Sequence, residues 1–571
     1  MKKLFALLLA CALLTGCTAP AAETNIPTEA FTLPPATEAP QFQAPENIVD
    51  ISLEGQDITA SGEGVHTSRD IIYYENKESY ESGNPYGEGE DYERHTAEEA
   101  AEHLVVNITA PGTYRLSGNL NKGQIRIDLG EEASSDPNAV VNLILDGAEI
   151  TCTVGPAILF VNVYECDNTW SVETATPDVD TSAAGANLIL AENSKNVIYG
   201  SHVAKIFKDK EGEKKLWKQD GAVYSYMSMN VYGPGALDIY ADNEGLDTEL
   251  HLSIFGGDIA IRAGNDGINT NEDGVSVTAI HGGNLHIIAG LGEEGDGIDS
   301  NGYLVIYGGT VVASANPAAD AGLDSDLGSF VHGGTVIALG SAMDWAESDS
   351  DQVTMNLQFA RMQSSGSSIV IAREDGSVVF AYDPAQDEVL GKDTRTYQGA
   401  ILSCPNFKVG DGYEVFIGST IQGTEVAGVY DVSTVTGFSD DIQMAYTGTD
   451  VMMRPGGMGG FGGGQRPEGG PGMPGGVTPP DEMPEPPEGD FDIPPQPTGD
   501  PAVPQGDAPT WPEGEEPTWP EGEEPPTPPE GGMPGGMGGM PGNQGGDPGE
   551  AKTLFFMQDK VNFFSGLTEV Q

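Results

Sequence analysis

Basic residues are scarce in this chain: 25 Lys and Arg stand against 88 Asp and Glu, a formal net charge of −63 over 571 residues. Nucleic acid and anionic membrane surfaces are repelled by such a polymer, whereas metal cations are drawn to it. Cysteine is rarer still, with 5 in all. Beyond the first residues only Cys152, Cys166 and Cys404 remain, an odd and sparse set that is no disulfide framework. A Cys152–Cys166 bridge across neighbouring strands stays open beside the alternative of buried free thiols. No CxxC or Cys/His cluster points to zinc. Aromatic residues amount to 7%, and no apolar run after the opening one approaches the 18–20 residues that span a bilayer.

Glycine (78) and proline (40) are abundant instead, a composition of strands, turns and linkers. Lys2-Lys3 followed by Leu4 to Leu14 has the basic start and apolar core of a signal peptide. Leu14-Thr15-Gly16-Cys17 looks like a bacterial lipobox, so residues 1–17 are expected to end in lipidation of Cys17 and to anchor the chain outside the cytoplasmic membrane, at the cell surface. Residues 18–46 form a Pro-, Ala- and Thr-rich tether. Strand signals begin at Ile48. Thr96-Ala97-Glu98-Glu99 has the pattern of a capping box opening one short helix, with His95 and His103 flanking it as surface residues. Residues 167–186 and the basic stretch Lys205–Lys218 read as excursions, the latter as a solvated hairpin or, unusual in so acidic a chain, as a contact for an anionic ligand.

A repeat dominates residues 231–340. Gly245-Leu246-Asp247-Thr248, Gly267-Ile268-Asn269-Thr270, Gly297-Ile298-Asp299-Ser300 and Gly322-Leu323-Asp324-Ser325 are four versions of one turn. Between them recur Phe255-Gly256-Gly257, His281-Gly282-Gly283, Tyr307-Gly308-Gly309 and His332-Gly333-Gly334, about 26 residues apart, a solenoid period. Aligned on the glycines, Val231, Ile254, Ile280, Ile306 and Val331 share one inward column, and Ile259, Leu285, Val311 and Val336 another. One strand-turn-strand unit per repeat predicts an all-β parallel β-helix over residues 47–345. After it the sequence predicts a closing β region at 346–450, a disordered Gly/Pro/Met/Glu-rich segment at 451–550, and strands within 551–571 that pack back on the closing region.

Two columns carry chemistry. Tyr232, Phe255, His281, Tyr307 and His332 should face outward as a ring strip, which can stabilise the stack or receive the C–H faces of sugar rings. Glu244, Asp266 and Asp296 precede the turn glycine; Asp247, Asn269, Asp299 and Asp324 follow it; Glu249, Asn271, Asn301 and Asp326 come next, with Asp273 beyond. Carboxylates stacked about 4.8 Å apart repel by roughly 3–4 kcal/mol at an effective dielectric of 20. Interleaved Asn, a shared proton or a bridging hard cation must offset that, and an all-oxygen donor set selects Ca2+. Asp247, Asp266, Asn269, Asn271, Asp273, Asp296, Asp299, Asn301, Asp324 and Asp326 are therefore the candidate calcium ligands.

This repeat, together with Ile108–Gly118, Asn142–Gly147, Gly221-Ala222-Val223-Tyr224-Ser225 and Gly295-Asp296-Gly297-Ile298-Asp299, resembles a family of secreted bacterial carbohydrate-binding β-helix proteins related in shape to polysaccharide lyases. The resemblance covers residues 48–345 and implies a right-handed parallel β-helix, bound calcium, and binding of plant-type polysaccharides, including acidic, pectin-like ones. Such a chain is expected to act as a monomer, to touch membrane only through its lipid, and to bind without cleaving. A pectate-lyase-like enzyme uses an Arg or Lys as base beside its calcium, and between Gly235 and Asp351 the sequence offers one side chain of that kind, Arg262, among about twenty acids. A glycoside hydrolase, with its pair of carboxylates, and a calcium-stiffened stalk or adhesin are the other readings.

Overall fold

The computed structural model describes residues 47–75, 86–87, 89–167, 171–207, 215–292, 294–342, 344–387, 395–439, 442–450 and 551–570. Cys17, expected from the sequence to carry lipid, and the segments 18–46 and 451–550 lie outside them. The described chain is almost all β. Its α-helix is Ala97–Ala101, opened by the expected box: Glu99 N–H donates to Thr96 Oγ1 at 3.2 Å and Thr96 N–H to Glu99 Oε2 at 2.8 Å. His103 is not a surface residue. It is buried, with Nδ1 2.8 Å from the Glu99 carbonyl oxygen and Nε2 3.1 Å from Thr151's near neighbour Thr153 at Oγ1. Among the described residues no helix is long and apolar enough to cross a membrane.

Most strands fall into three parallel stacks. The first takes in Ala186–Leu190, Met229–Tyr232, Leu252–Ile254, Val277–Ile280, Tyr303–Ile306 and Gly328–Val331. The second runs through Lys195–Gly200, Ala236–Ala241, Asp258–Ala263, Asn284–Ile288, Thr310–Ser314 and Thr335–Gly340. The third comprises Gly123–Asp128, Ile158–Asn162, Gly221–Ser225, Glu244–Thr248 and Ile268–Thr270, continued by parallel bridges through Ile298 and Leu323. The chain visits the stacks in turn, so each repeat contributes one rung to each.

Registry follows from the repeat. Val231, Ile254, Ile280, Ile306 and Val331 are successive partners in the first stack, and Leu237, Ile259, Leu285, Val311 and Val336 in the second. Val223, Leu246, Ile268, Ile298 and Leu323 do the same in the third. Alternation sends all of these to one side of their strands, and they share a single apolar core. The double glycines make the corner: Gly283 and Gly309 sit at φ of 90° and 83°, a left-handed conformation costly for any residue with a Cβ.

Parallel stacking ends where Thr335–Gly340 pairs antiparallel with Tyr397–Ser403. Thr354–Gln363 joins the other edge of that strand. The C-terminal strand Val561–Glu569 lies parallel to Thr354–Gln363 and antiparallel to Gly448–Asp450, and Phe555–Phe556 pairs with Gly412–Ile417. Their apolar side chains, Phe555, Phe564 and Leu567, fill a second core. Ile288, Val312, Ile337 and Leu339, on the second stack, are buried in this same core. Cys152, Cys166 and Cys404 are all free thiols.

Ile280 lies mid-column at 0% exposure. Ile280→Ala is expected to lower the unfolding free energy by about 2–5 kcal/mol through lost burial and the cavity left behind; urea unfolding followed by circular dichroism measures it.

Candidate functional site: a buried acidic corner

The third stack places the acids. Because Leu246, Ile268, Ile298 and Leu323 point into the core, the residues after them, Asp247, Asn269, Asp299 and Asp324, point away from it. Asp247 pairs directly with Asn269, and Asp299 and Asp324 follow, their amides donating to the Ile268 and Ile298 carbonyls at 2.8 Å each. Outward here does not mean solvated. Asp247 is 0% exposed, Glu244 4% and Asn269 6%, because residues 218–220 lie over them.

Hydrogen bonds use part of this donor set. Asn269 Nδ2 donates to Glu244 Oε1 at 3.1 Å, and Asn271 Nδ2 to Asp247 Oδ1 at 2.6 Å. Lys218 Nζ donates to Asn271 Oδ1 at 2.6 Å and pairs with Asp220 Oδ2 at 2.5 Å. Glu244 Oε2, Asp247 Oδ2 and Asn269 Oδ1 remain buried with no hydrogen-bond partner. Asp220, Glu244 and Asp247 can each bring a carboxylate oxygen within 4.8 Å of the others. Glu244 and Asp247 belong to both sets, and buried carboxylate oxygens this close together are costly unless a shared proton or a cation lies between them. Their chemistry, oxygen only with no sulfur or imidazole, fits a hard cation such as Ca2+.

Lower rungs use one carboxylate oxygen for structure. Asp266 Oδ1 accepts from the Asp296 amide at 2.7 Å, Asp296 Oδ1 from the Ala321 amide at 2.6 Å, and Asp320 Oδ2 from the Gly295 amide at 2.9 Å. Each acid thus ties its rung to the next. Burial, and then the neighbouring carboxylates, push the Asp247 and Asp266 carboxyls well above the usual range. Asp296 is pushed up to about 7 and Asp299 to about 8, burial again leading. Asp324 is raised by burial and by Asp320. Asn301 belongs to the scaffold, its Nδ2 donating to the Asn271 carbonyl at 2.9 Å. Asp273 and Asp326 are exposed at the outer rim, near enough for Asp273 to raise Asp326. Glu249 accepts the Tyr224 hydroxyl.

Lys218 was not legible as a member of this site. Its stretch reads as a solvated hairpin, yet its side chain is 24% exposed and lies in the field of Asp247, Glu244, Glu249 and Asp266. Burial lowers its pKa and those four acids more than reverse the effect, holding the ammonium charged. The one available signal was its position: the last cation of a basic stretch, two residues before Asp220-Gly221, where a third-stack strand begins.

The ring strip is present as a stack: Tyr232, Phe255, His281, Tyr307 and His332 follow one another at 4.9, 4.6, 4.8 and 5.4 Å between centroids, with planes within 21°. The rings face one another, so it is their edges that point outward. Platform stacking of sugars along the strip is thereby disfavoured, and the strip's contribution is to hold rungs together. It stands on the first stack, apart from the acids on the third.

Residues 102–385 match the model of a family described as carbohydrate-binding domain-containing protein. A carbohydrate-binding domain-containing protein of Acetivibrio thermocellus is 32% identical over 159 residues, which span 28% of this chain and 45% of that protein, less than half its length. A solved structure of a polysaccharide lyase-like protein from C. thermocellum, a gadolinium derivative, aligns over 51% of this chain and 94% of its own at 23% identity, with a TM-score of 0.31.

The raised carboxyls make a signed prediction. A group whose folded pKa lies above its unfolded value binds more protons when folded, so stability falls as pH rises between the two. In chelator the protein should therefore lose thermal stability steadily from about pH 4 to about pH 8, the span set by Asp296 and Asp299. Melting curves across that range check it; a rise in stability over the span would show that these acids are ionised in the fold.

Proposed function

We propose that this chain is a right-handed parallel β-helix, loaded with calcium, that binds polysaccharide at the bacterial cell surface without cleaving it. The observation that carries the reading is the trio of buried, unpaired oxygens on Glu244, Asp247 and Asn269, within the span that matches a carbohydrate-binding family. Three parallel stacks whose inward columns meet in one core support the helical closure. A lipidated Cys17 would hold the protein, as a monomer, outside the cytoplasmic membrane.

In this account Glu244, Asp247 and Asn269 hold the first ion, and Asp266, Asp296, Asp299 and Asp324 offer further oxygens along the ladder. The calcium supplies a positive centre for uronate carboxylates and sugar hydroxyls. Lys218 adds a second fixed positive charge at the rim, which favours acidic, pectin-like chains over neutral ones at this corner. The exposed Asp273 and Asp326 limit how closely an anionic chain approaches without the ion.

A calcium-dependent lyase is the second reading, and Lys218 favours it, being a basic side chain beside the acids, where Arg262 on a second-stack strand is not. Its charge argues for binding: an ammonium stabilised by four carboxylates is a poor proton acceptor. Titrating the full chain with calcium and then with polygalacturonate, cellulose and xylan separates the readings. Calcium-dependent retention without turnover is the expected outcome; an ultraviolet-absorbing unsaturated product would establish the lyase, hydrolysis the glycosidase, and no retention on any glycan the stalk. Asp247→Asn is expected to leave the melting temperature in chelator nearly unchanged, since it replaces a buried carboxyl whose pKa is pushed well up with a neutral amide of the same shape. It should also abolish most of the calcium-induced gain, which for an ion at a hundredfold its Kd is roughly 2.7 kcal/mol. An undiminished calcium response would take Asp247 out of the site.

A further inference from the structure

The outer face of the second stack carries a feature that the acidic corner does not use. Tyr199 and Tyr240 are register partners on adjacent rungs, their rings stacked at 4.8 Å with 15° between planes. They are 41% and 39% exposed, whereas Tyr114, Tyr224, Tyr382 and Tyr397 are buried. The partner of Tyr199 on the preceding rung is Thr151, whose short side chain cannot cover an aromatic ring. One face of the pair is thus left open at its Tyr199 end. The column Tyr232 to His332 differs in this respect: Ile189 partners Tyr232 and packs with it, so that column begins against an aliphatic side chain.

Beside the tyrosines runs the column Glu149, Val197, Asp238, with both carboxylates exposed. These acids accept hydrogen bonds from hydroxyls and repel anions. The pair also adjoins the acidic corner along the chain, since Tyr240 leads through Ala241, Asp242 and Asn243 to Glu244.

We infer that the outer face around Tyr199 and Tyr240 is a second polysaccharide contact, taking the apolar C–H face of an uncharged sugar ring against Tyr199 while Glu149 and Asp238 accept its hydroxyls. This rests on the reading of the chain as a polysaccharide binder and adds a surface for neutral glycan that does not require calcium. Amphipathic rings left in water suit such a ligand, and Glu149 and Asp238 disfavour uronates at the open Tyr199 face, the one turned away from Arg262, the register partner of Tyr240 on the following rung.

The test uses the full chain on cellulose and xylan in chelator, and on polygalacturonate in calcium. Tyr199→Ala/Tyr240→Ala is expected to weaken binding to the neutral glycans roughly tenfold, the scale of aromatic contacts worth about 1.5 kcal/mol. Its calcium-dependent binding of polygalacturonate should stay as in the wild type, while its melting temperature falls by a few degrees with the lost stack. Tyr199→Phe/Tyr240→Phe keeps the ring faces and should bind neutral glycans nearly as well as the wild type. Neutral-glycan binding that survives the double alanine substitution overturns the inference, as does a wild-type chain that binds polygalacturonate in calcium but no neutral glycan; both outcomes leave the calcium corner standing. A wild-type chain that binds none of the three glycans overturns the inference together with the reading beneath it.

Discussion

Stacked parallel strands in register put every residue on top of its counterpart one rung away, and most of this protein follows from that constraint. For aliphatic side chains the consequence is favourable: Val231, Ile254, Ile280, Ile306 and Val331 form a continuous, dry column. For rings it gives face-to-face stacking from Tyr232 to His332. At the corners it leaves no room at all. A Cβ on Gly267 would sit 2.2 Å from Ile287 Cγ2 and 2.6 Å from the Gly297 carbonyl oxygen, so the turn glycine is held by its neighbours as much as by its own backbone. For acids the same constraint is hostile, and the protein answers it locally at each rung. Asn269 stands in register with Asp247, an Asn271 amide spans to Asp247, and Asp266 and Asp296 each turn one oxygen to an amide of the next rung. Lys218 supplies the positive charge. After all of these, the oxygens on Glu244, Asp247 and Asn269 are still unmatched, which marks that rung, rather than the ladder as a whole, as the place where a cation would do most.

What could be read in the sequence was whatever the period encodes. A recurring Gly-Gly fixes alignment, alignment fixes columns, and alternation fixes which columns face the core; Val231 to Val331 and Ile259 to Val336 needed nothing more. Facing is a weaker statement than exposure. Asp247 faces away from the core and is still fully buried, in a corner where residues outside the period, Asp220 beside it and Lys218 on Asn271, come in. Lys218 was hidden for the same reason: its contacts are tertiary, made by an excursion that has no period. The ring strip shows a third limit. Periodicity establishes that Phe255 and His281 are neighbours, but ring planes are set by side-chain torsions, and those turn the faces toward each other. Tyr199 and Tyr240 lie in earlier rungs with no Gly-Gly phrase to align them, so their pairing emerges only from the strand register.

The closing β region limits where a ligand can reach the second stack. Over the last rungs Ile288, Val312, Ile337 and Leu339 are covered by it, and His286 is pinned to Asp387, Nδ1 to Oδ2 at 2.8 Å. The open part of that face is therefore the early rungs, those of Tyr199 and Tyr240. The third stack meets no such cover along Asp299 and Asp324, which stay partly accessible down to the exposed Asp326. A polymer that touched both surfaces would cross from the second stack to the third over the turn between Tyr240 and Glu244. Its uncharged stretches would lie against tyrosine, and its carboxylates would lie where calcium and Lys218 can balance them. On the proposed reading, the covering of one face and the burial of acids on the next would divide the surface into a neutral and a cation-dependent half, and that division would come from the non-repeating segments rather than from the repeating turn.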